Sequence, residues 1–142
     1  MWIKNTVQDL IDKHGTNDPF QIANQMNIHV IERDLHEDIY GFYRYVRRNK
    51  FIFINANIAE NKKFHVCGHE LGHSQLHPGL NTPFMMSNTF LSIDKIEREA
   101  DRFAAELLIP DDSFLESDNI YEIASLYNVP VELVQLKLEK LF

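Results

Sequence analysis

Apolar side chains recur with helical spacing near the start of the chain. Residues 2–14 predict an amphipathic helix that stops at Gly15. Its apolar face carries four aliphatic side chains: Ile3, Val7, Leu10 and Ile11. A second short helix is expected to begin near Asp18-Pro19, because an aspartate cap followed by proline favours a first helical turn. The predicted buried side of this helix consists of Ile22, Ala23 and Met26.

In the middle of the chain, the residue pattern changes from one typical of helices to one typical of strands. Three runs, 28–31, 40–46 and 51–54, are rich in β-branched and aromatic side chains, which is typical of strands. Because the polar turn 47–50 separates the last two runs, we expect them to pair as an antiparallel hairpin. A helical pattern returns from about residue 60 to residue 76 and ends at Pro78-Gly79.

The second half of the chain is predominantly helical in pattern. The stretch 78–92 has no charged residue, and we expect its apolar side chains either to pack under neighbouring elements or to line a cleft. These side chains are Phe84, Met85, Met86, Phe90 and Leu91. Further helices are predicted over 93–108, 111–117, 119–127 and 130–141.

Strands in the middle with helices on both sides predict an α+β fold. We expect a small domain with a short antiparallel sheet, followed by two helices of the central region and further C-terminal helices. The chain has 142 residues and no linker-like segment, so one domain over 1–142 is predicted. A C-terminal helical hairpin, at about 119–141, is expected to pack on this domain.

Charge and cysteine content restrict the possible functions. Fourteen basic against twenty-one acidic residues give a net charge of −7, so no direct nucleic-acid partner is expected. The one cysteine, Cys67, excludes an internal disulfide framework and favours a reducing cytoplasm. No stretch approaches the roughly 18 apolar residues of a membrane span, so no membrane partner is expected.

The pentapeptide His69-Glu70-Leu71-Gly72-His73 lies on the predicted helix 60–76. Residues four apart on a helix point the same way, so both imidazoles can bind one ion, and imidazole is a good zinc ligand. Glu70 is offset from the two histidines and is suited to hold a water molecule as a general base.

The pattern H-E-x-x-H alone is loose, but the glycines around it strengthen the prediction. Gly68 and Gly72 each cost about 1 kcal/mol of helix propensity, which a helix tolerates most readily where another element approaches its backbone closely. The core-facing side of this helix is predicted to hold Phe64, Cys67 and Leu71, opposite the histidines.

A third protein ligand is expected on the helix 93–108. Glu97 and Asp101 lie within its apolar arc, and a buried carboxylate must be paired or bound to metal. Glu97 is therefore the predicted ligand, and Asp101 is predicted to accept a ring N–H from one of the histidines. Glu99 is expected to face solvent. The alternative is that both carboxylates pair with Arg98 or Arg102.

The remaining candidate ligands are given other roles. His77 is expected to be structural, because Pro78 ends the helix there, and Cys67 is expected to be a small buried residue. Four histidines have no partner at metal spacing and are interpreted as ordinary residues: His14, His29, His36 and His65.

These motifs together resemble the ImmA/IrrE family of small zinc metallopeptidases. The run 97–110, with the pattern E-x-E-A-D-x-F-A-x-x-L-L-x-P, is far more specific than the pentapeptide that precedes it. The segment 18–23 and the strand-rich region also match, so the resemblance covers nearly the whole chain. The chain departs from the family at Cys67-Gly68, where an alanine is common.

The resemblance implies a zinc metalloendopeptidase of a kind that occurs in phages and mobile elements or in stress regulation, and here a phage or mobile element is expected. Members cleave, or act upon, a helix-turn-helix repressor and so release the genes that it silences. This sequence has no fused repressor-type DNA-binding domain, so a separate protein is expected to supply it. The alternative is a regulatory protein of the same fold that acts by contact, without proteolysis. Two imidazoles with one carboxylate favour Zn²⁺, although other divalent ions also bind such ligands.

Two further features concern the substrate and DNA. Tyr40, Tyr43 and Tyr45 are candidate oxyanion donors, and an edge of the hairpin is a candidate site for a substrate strand. The segment 120–138 has an apolar spacing similar to that of a helix-turn-helix. Among residues 111–142, however, only Lys137 and Lys140 are basic, against seven acidic residues. Because DNA reading requires basic side chains, this segment is predicted to pack on the domain instead.

Overall fold

The computed structural model describes residues 2–79, 83–85 and 95–141. Within these ranges the helices are α1 (Trp2–His14), α2 (Pro19–Gln25), α3 (Glu60–Leu76), α4 (Lys95–Leu108), α5 (Ser113–Glu116), α6 (Ile120–Tyr127) and α7 (Val131–Leu141). The strands are β1 (His29–Arg33), β2 (Ile39–Val46), β3 (Asn49–Asn55) and β4 (Pro83–Met85). The predicted α+β fold is confirmed.

The two N-terminal helices end and begin where local chemistry predicts. Gly15, which follows α1, has a φ of +70°, a conformation that glycine adopts without strain. The side chain of Asp18 accepts hydrogen bonds from the backbone N–H groups of Phe20 and Gln21, and Pro19 occupies the first helical position. The cap and the proline thus fix the start of α2 as predicted.

The predicted hairpin is formed by β2 and β3, which pair antiparallel. A two-residue turn, Arg47-Arg48, joins them, and its φ angles of 52° and 67° are both positive. Such a turn has the backbone twist that suits paired strands. It is shorter than the predicted 47–50, because β3 already begins at Asn49.

The sheet has the strand order β1-β3-β2-β4. β1 pairs in parallel with β3, so the sheet is mixed, whereas only antiparallel pairing was predicted. β4 pairs antiparallel with β2 and lies within the stretch 78–92, for which no strand was predicted. The apolar side chains of this stretch are expected to pack under neighbouring elements or to line a cleft. These side chains lie outside the described part of the structure, so this expectation stays a prediction.

Helix α3 lies at the centre of the fold, and its residues 65–74 are all buried. On one side is the sheet: a Cβ atom at Gly41 of β2 would come within 2.7 Å of Val66 Cγ1. On another side is α4: a Cβ atom at Gly72 would come within 3.0 Å of Phe103 Cβ, and one at Gly68 within 3.5 Å of Ala104 Cβ. The prediction that the two glycines admit a neighbouring element is confirmed.

One residue of α3 was assigned to the wrong side. Phe64 is 41 % exposed, not part of the core-facing side, and its ring packs edge-on against Phe20 with 5.2 Å between centroids. Cys67 and Leu71 are fully buried, as predicted. Burial also raises the pKa of the Cys67 thiol well above its usual value.

We expect Gly72→Ala to lower the free energy of unfolding by about 1–3 kcal/mol, because the new methyl group would overlap the Phe103 side chain. Gly68→Ala is the matched control, since its methyl group would find ordinary contacts at 3.4–3.5 Å. It is expected to be neutral or to stabilise by up to about 1 kcal/mol through helix propensity. Denaturant unfolding of both variants tests this; equal stability of the two would contradict the close contact.

The C-terminal helices contribute to the same core as α4. Ile123 of α6 and Leu133 and Val134 of α7 are buried in one cluster with Phe103. Lys137 of α7 is 2 % exposed, donates to the backbone oxygen of Ile109 and pairs with Asp111 at 2.8 Å. The charge of Lys137 is therefore paired within the protein and is not available to a phosphate group.

A helix that spans a membrane needs about 20 consecutive, mostly apolar residues. None of the described helices is both long enough and apolar enough to cross a bilayer.

Candidate metal centre

Helices α3 and α4 bring the three predicted ligands together. His69 Nε2 lies 3.0 Å from Glu97 Oε2, and His73 Nε2 lies 2.8 Å from Glu97 Oε1. One ligand atom from each of the three residues lies within 4.8 Å of the other two. Both histidine side chains are fully buried and the Glu97 side chain is 14 % exposed. The close approach of the helices at Gly68 and Gly72 is what allows this convergence.

The polar atoms of this cluster fit a bound cation. His73 Nε2 and Glu97 Oε1 are both buried and lack a hydrogen-bond partner, although they lie only 2.8 Å apart. One cation that binds both the imidazole nitrogen and the carboxylate oxygen would satisfy both atoms. Two imidazole nitrogens and one carboxylate oxygen are the ligand set of zinc sites that keep a further position open. The residues therefore fit zinc.

Asp101, one turn after Glu97 on α4, supports His69. Its Oδ1 lies 2.8 Å from His69 Nδ1, and both side chains are fully buried. Because an ionised carboxylate can only accept, Nδ1 must carry the proton, and Nε2 is directed toward Glu97. This is the arrangement in which a carboxylate orients a metal-binding imidazole.

Without a metal, the electrostatics of the cluster favour an ion pair between protonated His69 and the ionised carboxylate of Glu97. Burial opposes a charge on His69, but Asp101 and Glu97 outweigh it and raise the pKa of His69 to about 10. Burial also opposes a charge on Glu97, but the two histidines outweigh it and lower the pKa of its carboxyl to about 2. Burial lowers the pKa of His73 and raises that of Asp101 to about 6. A metal that binds at neutral pH therefore has to displace the proton of His69.

Glu70, the predicted general base, is fully buried beside His69. Neither of its carboxylate oxygens has a hydrogen-bond partner among the described residues. Burial raises the pKa of this carboxyl to about 8, against the opposing effect of His69. A carboxyl that is unpaired and titrates near neutral pH is suited to take up and release a proton.

The other charged residues of α4 are arranged partly as predicted. Among the described residues, Glu97 and Asp101 form no ion pair with Arg98 or Arg102, so the alternative role considered for them is not seen. Glu99, however, is only 21 % exposed, and its Oε1 lies 2.8 Å from His77 Nε2. The expectation that Glu99 faces solvent is wrong.

One of the candidate oxyanion donors, Tyr43, and part of the hairpin edge have other partners. The hydroxyl of Tyr43 donates to the backbone oxygen of Pro78 at 2.9 Å, and the Tyr43 residue is buried. β4 covers the outer side of β2 at residues 39–42, and β1 covers that of β3. Among the described residues, the outer edge of β2 is therefore left for a substrate strand only over residues 43–46.

We expect Asp101→Asn to weaken zinc binding about 10–100-fold, the usual effect of losing a carboxylate partner of a ligand histidine. An amide can donate as well as accept, so it no longer forces the proton onto His69 Nδ1. Competition with a chelator measures this effect, and Asp9→Asn on the exposed side of α1 is the control. Wild-type affinity in the Asp101 variant would show that this contact does not support the ligand.

Similarity to known proteins places this chain in a family of peptidases. The family model of the IrrE N-terminal-like domain, a peptidase family, matches residues 23–139. The chain is 31 % identical over 147 residues to the metallopeptidase ImmA of Bacillus subtilis (strain 168), with 98 % of this chain and 85 % of the relative covered. The chain belongs to the ImmA/IrrE metallopeptidase family, as its motifs predicted.

A second relative is a protein of a phage immunity region. It is immunity region protein 2 of Bacillus phage phi105, described as uncharacterized. The two chains are 48 % identical over 139 residues, which cover 95 % of this chain and 88 % of the relative. The chain thus combines similarity to a metallopeptidase with similarity to a protein of a phage immunity region.

Proposed function

We propose that this protein is a zinc-dependent metalloendopeptidase, with zinc held by His69, His73 and Glu97. The observation that carries the proposal is the convergence of these three ligands beside Glu70, whose two buried carboxylate oxygens have no hydrogen-bond partner in the described structure. Residues 1–142 would act as one metallopeptidase domain, with the C-terminal helices packed on it.

The roles of the side chains follow from their positions. When bound, a zinc ion supplies Lewis-acid activation of the scissile carbonyl and of a water molecule. Glu70 accepts a proton from the attacking water at a carboxylate oxygen and passes it to the nitrogen of the leaving amine. Asp101 keeps the proton of His69 on Nδ1. Glu97 is already ionised before zinc binds, because in the metal-free protein the histidines lower the pKa of its carboxyl to about 2.

The proposed substrate is a helix-turn-helix repressor of a phage or mobile element, cleaved in the cytoplasm to release the genes that it silences. Support comes from the family, and from the similarity to a phage immunity-region protein. The buried Lys137 argues against DNA as a direct partner, because it leaves the C-terminal helices with little positive charge for phosphate groups.

The experiment is to incubate the zinc-loaded protein with each purified helix-turn-helix protein that the neighbouring genes encode. We expect one discrete pair of fragments, detected by mass spectrometry, and no fragments after chelation or with Glu70→Gln. Stable binding of the intact repressor without fragments would replace the peptidase proposal with regulation by contact.

A further inference from the structure

We propose that His77 and Glu99 are positioning residues that hold His73 in the ring form able to bind metal. The inference rests on the proposed metal site and concerns how its second histidine is supported. Asp101 performs this task for His69, but no carboxylate contacts Nδ1 of His73 directly among the described residues.

Three side chains form a continuous chain of hydrogen bonds from one helix to the other. Glu99 Oε1, on α4, lies 2.8 Å from His77 Nε2, and His77 Nδ1 lies 3.1 Å from His73 Nδ1. His77 follows the end of α3, where its backbone N–H donates to the oxygen of His73. The side chains of His73 and His77 are 0 % and 9 % exposed, so these bonds are largely shielded from water.

The positions of the protons follow from the chemistry of the groups. A carboxylate only accepts, so His77 Nε2 must carry a proton that it donates to Glu99. In a neutral imidazole the other nitrogen, His77 Nδ1, is then an acceptor, and His73 Nδ1 must be the donor. The proton of neutral His73 therefore lies on Nδ1, and its Nε2 keeps a lone pair.

That lone pair is directed into the metal site. His73 Nε2 lies 2.8 Å from Glu97 Oε1, and both atoms are buried without a hydrogen-bond partner, so one cation bound by both would satisfy them. Both ligand histidines are thus oriented from α4, His69 by Asp101 and His73 by Glu99 through His77. Since Glu97 is also on α4, this helix supplies one ligand and the supports of the other two.

The test compares two substitutions at His77. In His77→Ala the acceptor for His73 Nδ1 is lost, and we expect zinc affinity to fall about 10–100-fold in a chelator competition. In His77→Asn the amide oxygen can take the place of Nδ1 as acceptor, and we expect an affinity within about 3-fold of wild type. Glu99 is one hydrogen bond further from the ligand His73, so Glu99→Ala should weaken zinc binding about 3–10-fold. Lys95→Ala, exposed on the same helix, is the control and should have no effect.

A spectroscopic measurement separates positioning from a merely structural role. The visible spectrum of the cobalt-substituted protein should change in His77→Ala and stay unchanged in His77→Asn, because it reports the ligand geometry. If His77 served only to end α3, both substitutions would lower the melting temperature. The cobalt spectrum and the zinc affinity would then stay as in the wild-type protein. That result, or equal zinc loss in both variants, overturns the inference and leaves the metal site standing. Failure of the wild-type protein to bind zinc would overturn the proposed function as well.

Discussion

Glu70→Gln is expected to abolish peptide cleavage while leaving zinc binding intact. Glutamine has nearly the same shape, but its amide cannot take up the proton of the attacking water. Loss of a general base typically costs about 10²–10⁴-fold in rate. The measurement is the rate of fragment formation at equal zinc content, determined for both proteins. Cleavage at the wild-type rate by the variant would show that Glu70 is not the base.

The same substitution should stabilise the metal-free protein in a pH-dependent way. Burial raises the pKa of Glu70 to about 8 in the folded state, whereas the unfolded value is near 4.5. Between these values the folded state binds the proton more tightly, so the carboxyl lowers stability as the pH rises from about 5 to 8. The advantage of Glu70→Gln should therefore grow by about 1–3 kcal/mol over this range in denaturant unfolding. A constant difference would contradict the raised pKa.

Glu97→Ala is expected to cause the largest loss of zinc affinity of any single substitution on α4. It removes a ligand, whereas substitutions of Asp101 or Glu99 disturb only the supports of other ligands. We therefore expect a loss beyond the roughly 10–100-fold that a supporting residue typically costs. The remaining pair, His69 and His73, has too few protein ligands for a stable catalytic zinc site.

The measurement is a chelator competition on Glu97→Ala, Asp101→Asn and Glu99→Ala in parallel. Helical content measured by circular dichroism is the control for folding. The expected order of zinc affinity is wild type, then Glu99→Ala, then Asp101→Asn, and last Glu97→Ala. Equal losses in the Glu97 and Glu99 variants would contradict the assignment of Glu97 as the ligand.

The convergence of the three ligand residues was predictable because it follows from two local rules. Residues four apart on a helix share a face, which pairs His69 with His73 and Glu97 with Asp101. A carboxylate on an apolar face must find a partner, which is why Glu97 was the predicted ligand. Gly72 supplied the remaining signal, since glycine within a helix indicates a close neighbour. The roles of these residues stay predictions until metal and activity are measured.

The contact between Glu99 and His77 was not predictable from the helical arc. The arc describes the direction of each Cα–Cβ bond, whereas a long side chain such as glutamate can reach around the helix to a partner on another element. Here the partner lies just beyond the end of α3, at a position that depends on tertiary packing. The available signal was the spacing of His77, four residues after His73, which was interpreted as structural.

Two other differences arise from non-local pairing. The parallel pairing of β1 with β3 joins residues about twenty positions apart, and no turn between them fixes it. β4 has three residues, Pro83–Met85, and depends on β2 for its hydrogen bonds, so its own sequence carries little strand pattern. Phe64 was misplaced for a similar reason, because its partner Phe20 comes from α2.

The most direct test is the position of the metal in crystals of the zinc-loaded protein, located by anomalous scattering at the zinc edge. We predict one strong peak about 2.0–2.2 Å from His69 Nε2, His73 Nε2 and a carboxylate oxygen of Glu97. No peak between α3 and α4, or a peak that the Glu97 carboxylate does not contact, would contradict the proposed metal centre.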